Sequence, residues 1–204
     1  MERIIKSGKV VEDILESIYE EHTLSKDDIV YLKNEVKKGL FKNESIEVIA
    51  YKKDDLYKLA KDYLNEVINN LGLDVSFEQK NVDDRVVIKM YSDNNNILIG
   101  YNGNTIRALE TLVKQKIYLE TSLHFKINLD VENYKDKKAA RIIRTAKQIA
   151  KDVAKTKVPA HLENMNAYER RIVHNALSDF KGISTKSEGE EPNRHVVISP
   201  SKSE

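Results

Sequence analysis

The spacing of apolar residues in the first 53 positions predicts a small βαββ module. A short strand is expected over Arg3–Lys6, and apolar residues then recur every three or four positions through Val10–Tyr19, as on one face of a helix. Ser25–Asp28 is typical of a turn, and strands are expected over Ile29–Leu32 and the alternating run Ile46–Tyr51. A module of about 50 residues is only marginally stable by itself.

The middle of the chain, residues 54–131, is predicted to have the order αββααβ. Its first helix begins at Asp54, whose charge suits a helix N-terminus, and ends before Gly72, which suits the left-handed position after a helix. The remaining elements are expected to be strands over Val75–Gln79 and Arg85–Tyr91 with a turn at Asn81–Asp84, helices over Asn96–Ile99 and Asn104–Glu120, and a strand over Phe125–Leu129.

The last segment, residues 132–204, is predicted to pair two helices with two strands. The pattern indicates helices over Tyr134–Lys155 and Asn166–Phe180, a break at Val158-Pro159, strands over Ile183–Ser187 and His195–Ile198, and a fraying tail over Ser199–Glu204. The sequence therefore predicts an α+β fold of three small modules, bounded at 1–53, 54–131 and 132–204.

Composition removes several classes of protein from consideration. The 204 residues include no Cys, which excludes a disulfide framework, a zinc ribbon and a thiol nucleophile. The first residues are charged too early for a secretory signal, and no apolar run approaches the ~20 residues of a bilayer span. We therefore expect a soluble protein of a reducing compartment that does not insert into a membrane.

Charge is concentrated in one part of a nearly neutral chain. The formal net charge is only +1, yet residues 132–181 carry 12 basic and 6 acidic side chains. Helical spacing places five of the basic side chains on one stripe of the predicted helix: Lys137, Arg141, Arg144, Lys151 and Lys155. An ordinary solvated face usually mixes signs through i,i+4 pairs, so this stripe favours a site for a polyanion.

The Gly-x-x-Gly loop at Gly100–Gly103 is the sharpest local motif. Its first glycine can end the preceding helix in a left-handed conformation that is closed to residues with a Cβ, and its second allows another backbone to approach closely. The following helix directs free N–H groups at the loop, and Arg107 lies one turn along that helix. The two middle residues, Tyr101 and Asn102, are neutral. Between two helices, after two strands and before a third, the loop resembles that of a type II KH domain, which binds single-stranded nucleic acid. The alternative is a plain turn that joins two helices.

A second motif begins the last predicted helix. Asn166 and Glu169 have the spacing of a capping box. Arg170 and His174, four residues apart, are predicted to lie side by side at the edge of the buried face, with Arg171 pointing further out. This run resembles the Arg-x-x-x-His domain of single-stranded nucleic-acid-binding proteins. The alternative is that His174 is a hydrogen-bonded histidine that orients a neighbouring loop.

Two further stretches extend the resemblance over nearly the whole chain. The C-terminal run Thr185–Ile198, which includes Arg194, and the N-terminal run Lys37–Phe41 are similar to those of the Jag family, also called SpoIIIJ-associated or KhpB-like proteins. The resemblance implies a bacterial, cytoplasmic RNA-binding protein with a role in cell elongation, division or sporulation. It also implies nucleic-acid contacts from the Gly-x-x-Gly loop and from the basic residues of the two motifs.

No enzymatic or metal-binding signature competes with this interpretation. The sequence has no His-Glu-x-x-His, Walker or Gly-x-Ser-x-Gly motif, and none of its five histidines has metal-ligand spacing. We expect a non-enzyme without metal or cofactor that binds single-stranded RNA. Single-stranded DNA stays open, as does a homodimer. The alternative function is an adaptor that pairs with another KH-domain protein, or with a membrane-associated complex through residues 1–53.

Overall fold

The computed structural model describes residues 1–38, 43–82 and 85–201. They divide into two compact units between Glu132 and Asn133. Helices alternate with three separate three-stranded sheets, so the predicted α+β class is confirmed. The division into three modules stays a prediction. Residues 39–42, which include Gly39–Phe41 of the N-terminal run, and residues 83–84 of the predicted turn lie outside the described residues, as do residues 202–204.

The start of the first unit has the predicted βαββ order. Its elements are β1 (Ile4–Gly8), α1 (Val11–His22), β2 (Ile29–Lys38) and β3 (Asn43–Lys52). The sheet order is β1-β3-β2, and α1 packs Ile14 and Ile18 against Val48 and Ala50 of the central strand. β2 is longer than predicted because its antiparallel register with β3 continues to Lys38.

The rest of the first unit has the predicted order αββααβ. Its elements are α2 (Lys53–Asn70), β4 (Ser76–Val82), β5 (Arg85–Tyr91), α3 (Asn95–Ile99), α4 (Asn104–Thr121) and β6 (Ile127–Val131). β4 and β5 are antiparallel, whereas β5 and β6 are parallel, so the chain between them crosses over through α3 and α4. The Gly-x-x-Gly loop, Gly100–Gly103, lies within this crossover. Leu56, Ile88, Ile106 and Leu129 are fully buried and anchor these elements.

The second unit packs two helices against one sheet. Its elements are α5 (Tyr134–Thr156), β7 (Ala160–Asn164), α6 (Ala167–Leu177), β8 (Ile183–Glu188) and β9 (His195–Pro200). The sheet order is β7-β9-β8, with both pairs antiparallel. Ala146, Val153, Val173 and Ile198 belong to the buried cluster between the helices and the sheet.

Two details of the second unit differ from the sequence prediction. β7 was not predicted, because Leu162 is the one buried residue of its five and its pairing with β9 is irregular between His161 and Asn164. The expected fraying is wrong for Ser199 and Pro200, which pair with β8. Across the described ranges, no helix combines the length and apolar character needed to cross a lipid bilayer.

Replacing Leu162 with Ala tests the contribution of β7 to this core. Leu162 is 8 % exposed and lies in the buried cluster. We expect Leu162→Ala to lower the free energy of unfolding by about 2 to 3 kcal/mol in urea titrations, because it removes buried methyl groups and leaves a cavity. The exposed neighbour Glu163 provides the control, since Glu163→Ala should change stability by less than about 0.5 kcal/mol. Equal effects of the two substitutions would contradict the burial of β7.

Candidate nucleic-acid interface

Gly100 has a backbone conformation and surroundings that exclude a side chain. Its φ is 69° and its ψ 177°, a region essentially restricted to glycine. A Cβ at this position would lie 2.1 Å from the Thr105 side-chain oxygen and 2.9 Å from the Thr105 nitrogen. The need for glycine was predicted correctly, although the conformation is extended in ψ rather than left-handed helical.

The rest of the loop is a single tight turn that presents Tyr101 to solvent. Asn102 and Gly103 have φ values of 53° and 80°, and the Gly103 N–H donates to the Gly100 carbonyl over 3.2 Å. Tyr101 is 83 % exposed, whereas Gly103 is buried. α4 begins directly after Gly103 without a side-chain cap. The loop is therefore rigid on its inner side and open at its tip.

Arg107 lies beside this loop, as the sequence predicted. Its side chain is exposed, and its Nη2 donates to Oδ1 of Asn104, the first residue of α4. This hydrogen bond keeps the guanidinium near the start of α4. The structure thus brings a cation together with the exposed turn.

The basic stripe of α5 also lies where the sequence predicted it. Ala146, Ala150 and Val153 are buried. The side of α5 away from them carries the five exposed residues Lys137, Arg141, Arg144, Lys151 and Lys155. Within the described ranges, no salt bridge is formed by Arg141, Arg144, Lys151 or Lys155. Lys137 does have an interaction partner. Four cations therefore share one exposed helix face without a carboxylate among their contacts.

Arg170 is oriented differently from the sequence prediction. Its residue exposure is 8 %, and its Nη1 donates to the Met165 carbonyl over 2.7 Å and to Glu191 Oε1 over 2.8 Å. It lies on the inner side of α6 with Val173 and Leu177, which follow at three and seven residues. The guanidinium therefore ties α6 to the connection before β9.

His174 matches the alternative interpretation of the motif. Its Nδ1 lies 2.7 Å from Thr185 Oγ1 and its Nε2 3.0 Å from Ser187 Oγ, so both ring nitrogens have partners on β8. The structure therefore does not bring Arg170 and His174 together at an open surface. Arg171 and Arg194 are exposed instead.

Glu169 fixes the start of α6. The Asn166 N–H donates to Glu169 Oε2 and the Glu169 N–H to Asn166 Oδ1, each over 3.0 Å, which confirms the predicted capping box. The other carboxylate oxygen lies 2.6 Å from Lys138 Nζ of α5, and both side chains are less than 15 % exposed. The sequence did not point to Lys138, because its partner, Glu169, is 31 positions away in the chain.

Two other features were missed at the sequence level. Tyr168 is 68 % exposed on α6, directly before Glu169. His161 and His195 are 34 positions apart in the sequence, yet the Nδ1 atom of His161 and the Nε2 atom of His195 lie 3.0 Å apart because β7 pairs with β9. No group of three or more His, Cys, Asp or Glu residues in the described part of the chain is arranged to hold a metal ion.

Comparison with known proteins places the second unit in a defined family. The model of the R3H domain matches residues 140–200. The chain is 38 % identical over 152 residues to the RNA-binding protein KhpB of Clostridium symbiosum, which covers 74 % of this chain and 68 % of that protein. It is 31 % identical over 207 residues to the RNA-binding protein KhpB of Bacillus subtilis (strain 168), covering 98 % and 99 %. The chain belongs to the KhpB (Jag) family.

Family membership confirms the resemblance on which the sequence analysis relied. The R3H match includes Arg170, His174 and Arg194, together with four of the five cations of the α5 stripe. A third relative, the RNA-binding protein KhpB of Lactiplantibacillus plantarum, is 32 % identical over 141 residues, which is 67 % of this chain and 42 % of that protein. The KhpB relatives thus range from about the length of this chain to much longer.

The steric constraint at Gly100 can be tested against a glycine in open space. Gly72 also has a positive φ, 76°, but a Cβ there would meet nothing within 4 Å. Gly100→Ala should therefore lower the free energy of unfolding by about 1 to 3 kcal/mol more than Gly72→Ala, because Gly100 combines a steric clash with a backbone region that is essentially restricted to glycine. Urea unfolding of the two variants measures the difference. Equal losses would show that Thr105 does not restrict the loop.

Proposed function

We propose that this chain binds single-stranded RNA without catalysing a reaction. The unpaired cations Arg141, Arg144, Lys151 and Lys155 on one exposed face of α5 carry this proposal. A helix face with four cations and no carboxylate partner is costly unless a polyanion neutralises it. RNA is the preferred polyanion because the relatives are named RNA-binding proteins.

The dimensions of the stripe suit a nucleic-acid backbone. From Arg141 to Lys155 the helix rises ~21 Å, so its cations can meet several consecutive phosphates of one strand. Lys137 extends the same stripe toward the start of α5. Phosphate contacts of this kind give affinity and rapid association but carry no sequence information.

The Gly-x-x-Gly loop supplies a second contact in the proposal. Its exposed tip, the uncapped start of α4 and the guanidinium of Arg107 offer N–H donors and positive charge to a strand. The KH resemblance implies a clamp on about four nucleotides, with bases splayed into the adjoining groove. Because Tyr101 and Asn102 are neutral, the loop is a modest site that gains from linkage to the α5 stripe through effective concentration.

The cellular part of the proposal rests on the family. We take the protein to be a bacterial, cytoplasmic post-transcriptional regulator connected with cell elongation, division or sporulation. Single-stranded DNA is the competing ligand, and RNA and DNA oligomers of one sequence, compared side by side, distinguish them through the 2′-hydroxyl.

A specific feature of the first unit favours an additional adaptor role. Ile5 of β1 and Tyr31 of β2 are 50 % and 40 % exposed, and Val10 beside α1 is 45 % exposed. Ile5 and Tyr31 lie on opposite faces of the sheet, because Ile5 pairs with Ile49 and Tyr31 with the next residue of β3, Ala50. Each face thus offers a separate apolar contact for another KH-domain protein, a second copy of the chain or a membrane-associated complex. Cellular effects that survive acidic substitutions in the Gly-x-x-Gly loop, but not deletion of residues 1–53, would support this role.

The salt dependence of binding tests the α5 stripe. If about five cations meet phosphates, the slope of log K against log salt should be near −3.5, and affinity should fall on the order of 100-fold between 50 and 200 mM salt. Replacing Arg141, Arg144, Lys151 and Lys155 together by Gln should make the slope shallower by about 2.8, since each cation accounts for about 0.7. Filter binding or fluorescence anisotropy gives both slopes.

A matched control removes the same number of charges elsewhere. Lys26, Lys33, Lys58 and Lys61 are exposed in the first unit, outside both predicted sites. Their joint replacement by Gln should leave the slope within about 0.7 of the wild-type value. A slope near zero in the wild-type protein, or equal changes in the two variants, would remove α5 from the mechanism.

Adding negative charge tests the loop. Tyr101→Asp with Asn102→Asp should weaken binding several-fold at low salt, because two carboxylates would face the phosphates. Asn65→Asp with Asn69→Asp adds the same charge on the exposed side of α2 and should have a much smaller effect. Unchanged affinity in the loop variant, measured by anisotropy, would show that RNA does not contact the loop.

A further inference from the structure

The outward side of α6 carries three polar or aromatic side chains that no internal contact uses. Tyr168, Arg171 and Asn175 are all exposed, and their spacing of three and then four residues places them on one stripe of the helix. Within the described ranges, none of the three side chains takes part in a hydrogen bond or salt bridge. We call this set the α6 outer stripe.

Three residues that lie between the members of the α6 outer stripe in sequence have side chains held by contacts within the second unit. Glu169 is held by Asn166 and Lys138, and Arg170 by Met165 and Glu191. His174 is held in turn by two hydroxyl groups of β8. The α6 outer stripe is therefore presented on a helix with little freedom to rotate, so a ligand that binds it does not have to order the backbone.

Exposure of an aromatic ring at this place is unusual within the second unit. Its other Tyr and Phe residues, Tyr134 and Phe180, are partly buried, whereas Tyr168 is 68 % exposed. An exposed ring next to a guanidinium and an amide has the groups that recognise an unstacked nucleotide. The base stacks on the ring, the guanidinium binds phosphate, and the amide can donate to and accept from a base edge.

We infer that the α6 outer stripe is a subsite for one unstacked nucleotide, with its base on Tyr168 and its phosphate at Arg171. The inference rests on the proposed RNA binding and names the residues through which the second unit reads a base. Arg170 and His174, the residues of the Arg-x-x-x-His motif, are positioning residues that hold this stripe and do not touch the strand.

The test compares Tyr168 variants of the full chain on intact and abasic oligomers. Anisotropy is measured with a fluorescein-labelled single-stranded RNA and with the same oligomer lacking its bases. Tyr168→Ala should weaken binding of the intact oligomer about 5- to 100-fold, the range of one lost base stack, and should not weaken binding of the abasic one. Tyr168→Phe keeps the ring and should bind within about twofold of wild type.

Salt slopes separate the stacking residue from the charged ones. Arg171→Gln should make the slope shallower by about 0.7, as expected for one lost phosphate contact, and Tyr168→Ala should leave it unchanged. Glu191→Gln tests Arg170 without removing the buried guanidinium. It should leave the slope unchanged if Arg170 only positions the helix. A slope steeper by about 0.7 would show that Arg170, once released, binds phosphate, and would overturn its positioning role.

The outcomes distinguish failure of the subsite from failure of RNA binding. If the wild-type chain ignores every oligomer at low salt, the proposed function fails. If it binds with a steep slope but Tyr168→Ala binds as tightly as wild type, or is weakened equally on the abasic oligomer, the proposed function stands and the subsite is overturned. If Tyr168→Ala leaves RNA binding intact but abolishes binding of a protein partner, the stripe is a protein interface and the subsite is again overturned.

Discussion

The Glu169 carboxylate joins the two helices of the second unit and decides which side chains of α6 face solvent. One oxygen caps the start of α6 through Asn166, and the other contacts Lys138 of α5. A buried ion pair of this kind adds little net stability, since desolvation offsets the attraction, but leaving one partner unpaired costs several kcal/mol. Rotating α6 about its axis would break the contact with Lys138, whereas the capping box turns with the helix. The pair therefore specifies one orientation of the helix more than it stabilises the fold.

The consequences of that orientation extend to the basic residues. With Glu169 turned inward, the next residue, Arg170, also faces the interior and meets Met165 and Glu191, while Arg171 faces out. Adjacent arginines thus have opposite environments because they are 100° apart on the helix. The loop of the first unit is fixed by a different kind of constraint. There the backbone of Gly100 passes so close to Thr105 that any side chain at position 100 is excluded. The loop is therefore fixed by a steric contact and not by an ion pair.

Sequence reasoning succeeded where the signal is local. Long amphipathic helices such as α2, α4 and α5 were predicted within a few residues, and the Gly-x-x-Gly loop and the Asn166–Glu169 capping box depend only on neighbouring positions. β7 escaped detection because a single inward residue, Leu162, does not make a pattern. Contacts between residues that are distant in sequence were not predicted either. Glu191 lies 21 residues beyond its partner Arg170, and His195 lies 34 residues beyond His161. Periodicity placed Arg170 at the edge of the buried face of α6, because a lone arginine is expected to be exposed and the pattern does not reveal the Glu191 carboxylate that accepts its hydrogen bond.

The two helices of the second unit are suited to different parts of recognition. Cations along α5 attract any phosphate backbone equally, so their removal should weaken binding to all sequences and flatten the salt dependence. Discrimination between strands needs groups that meet bases, and in the proposed subsite on α6 those groups are the ring of Tyr168 and the amide of Asn175. Stacking tolerates every base and depends little on salt, whereas an amide distinguishes base edges only when the base is held still. A helix locked by Glu169, Arg170 and His174 provides that fixed geometry. In the proposed subsite, Arg170 and His174 thus act by orienting their exposed neighbours on α6.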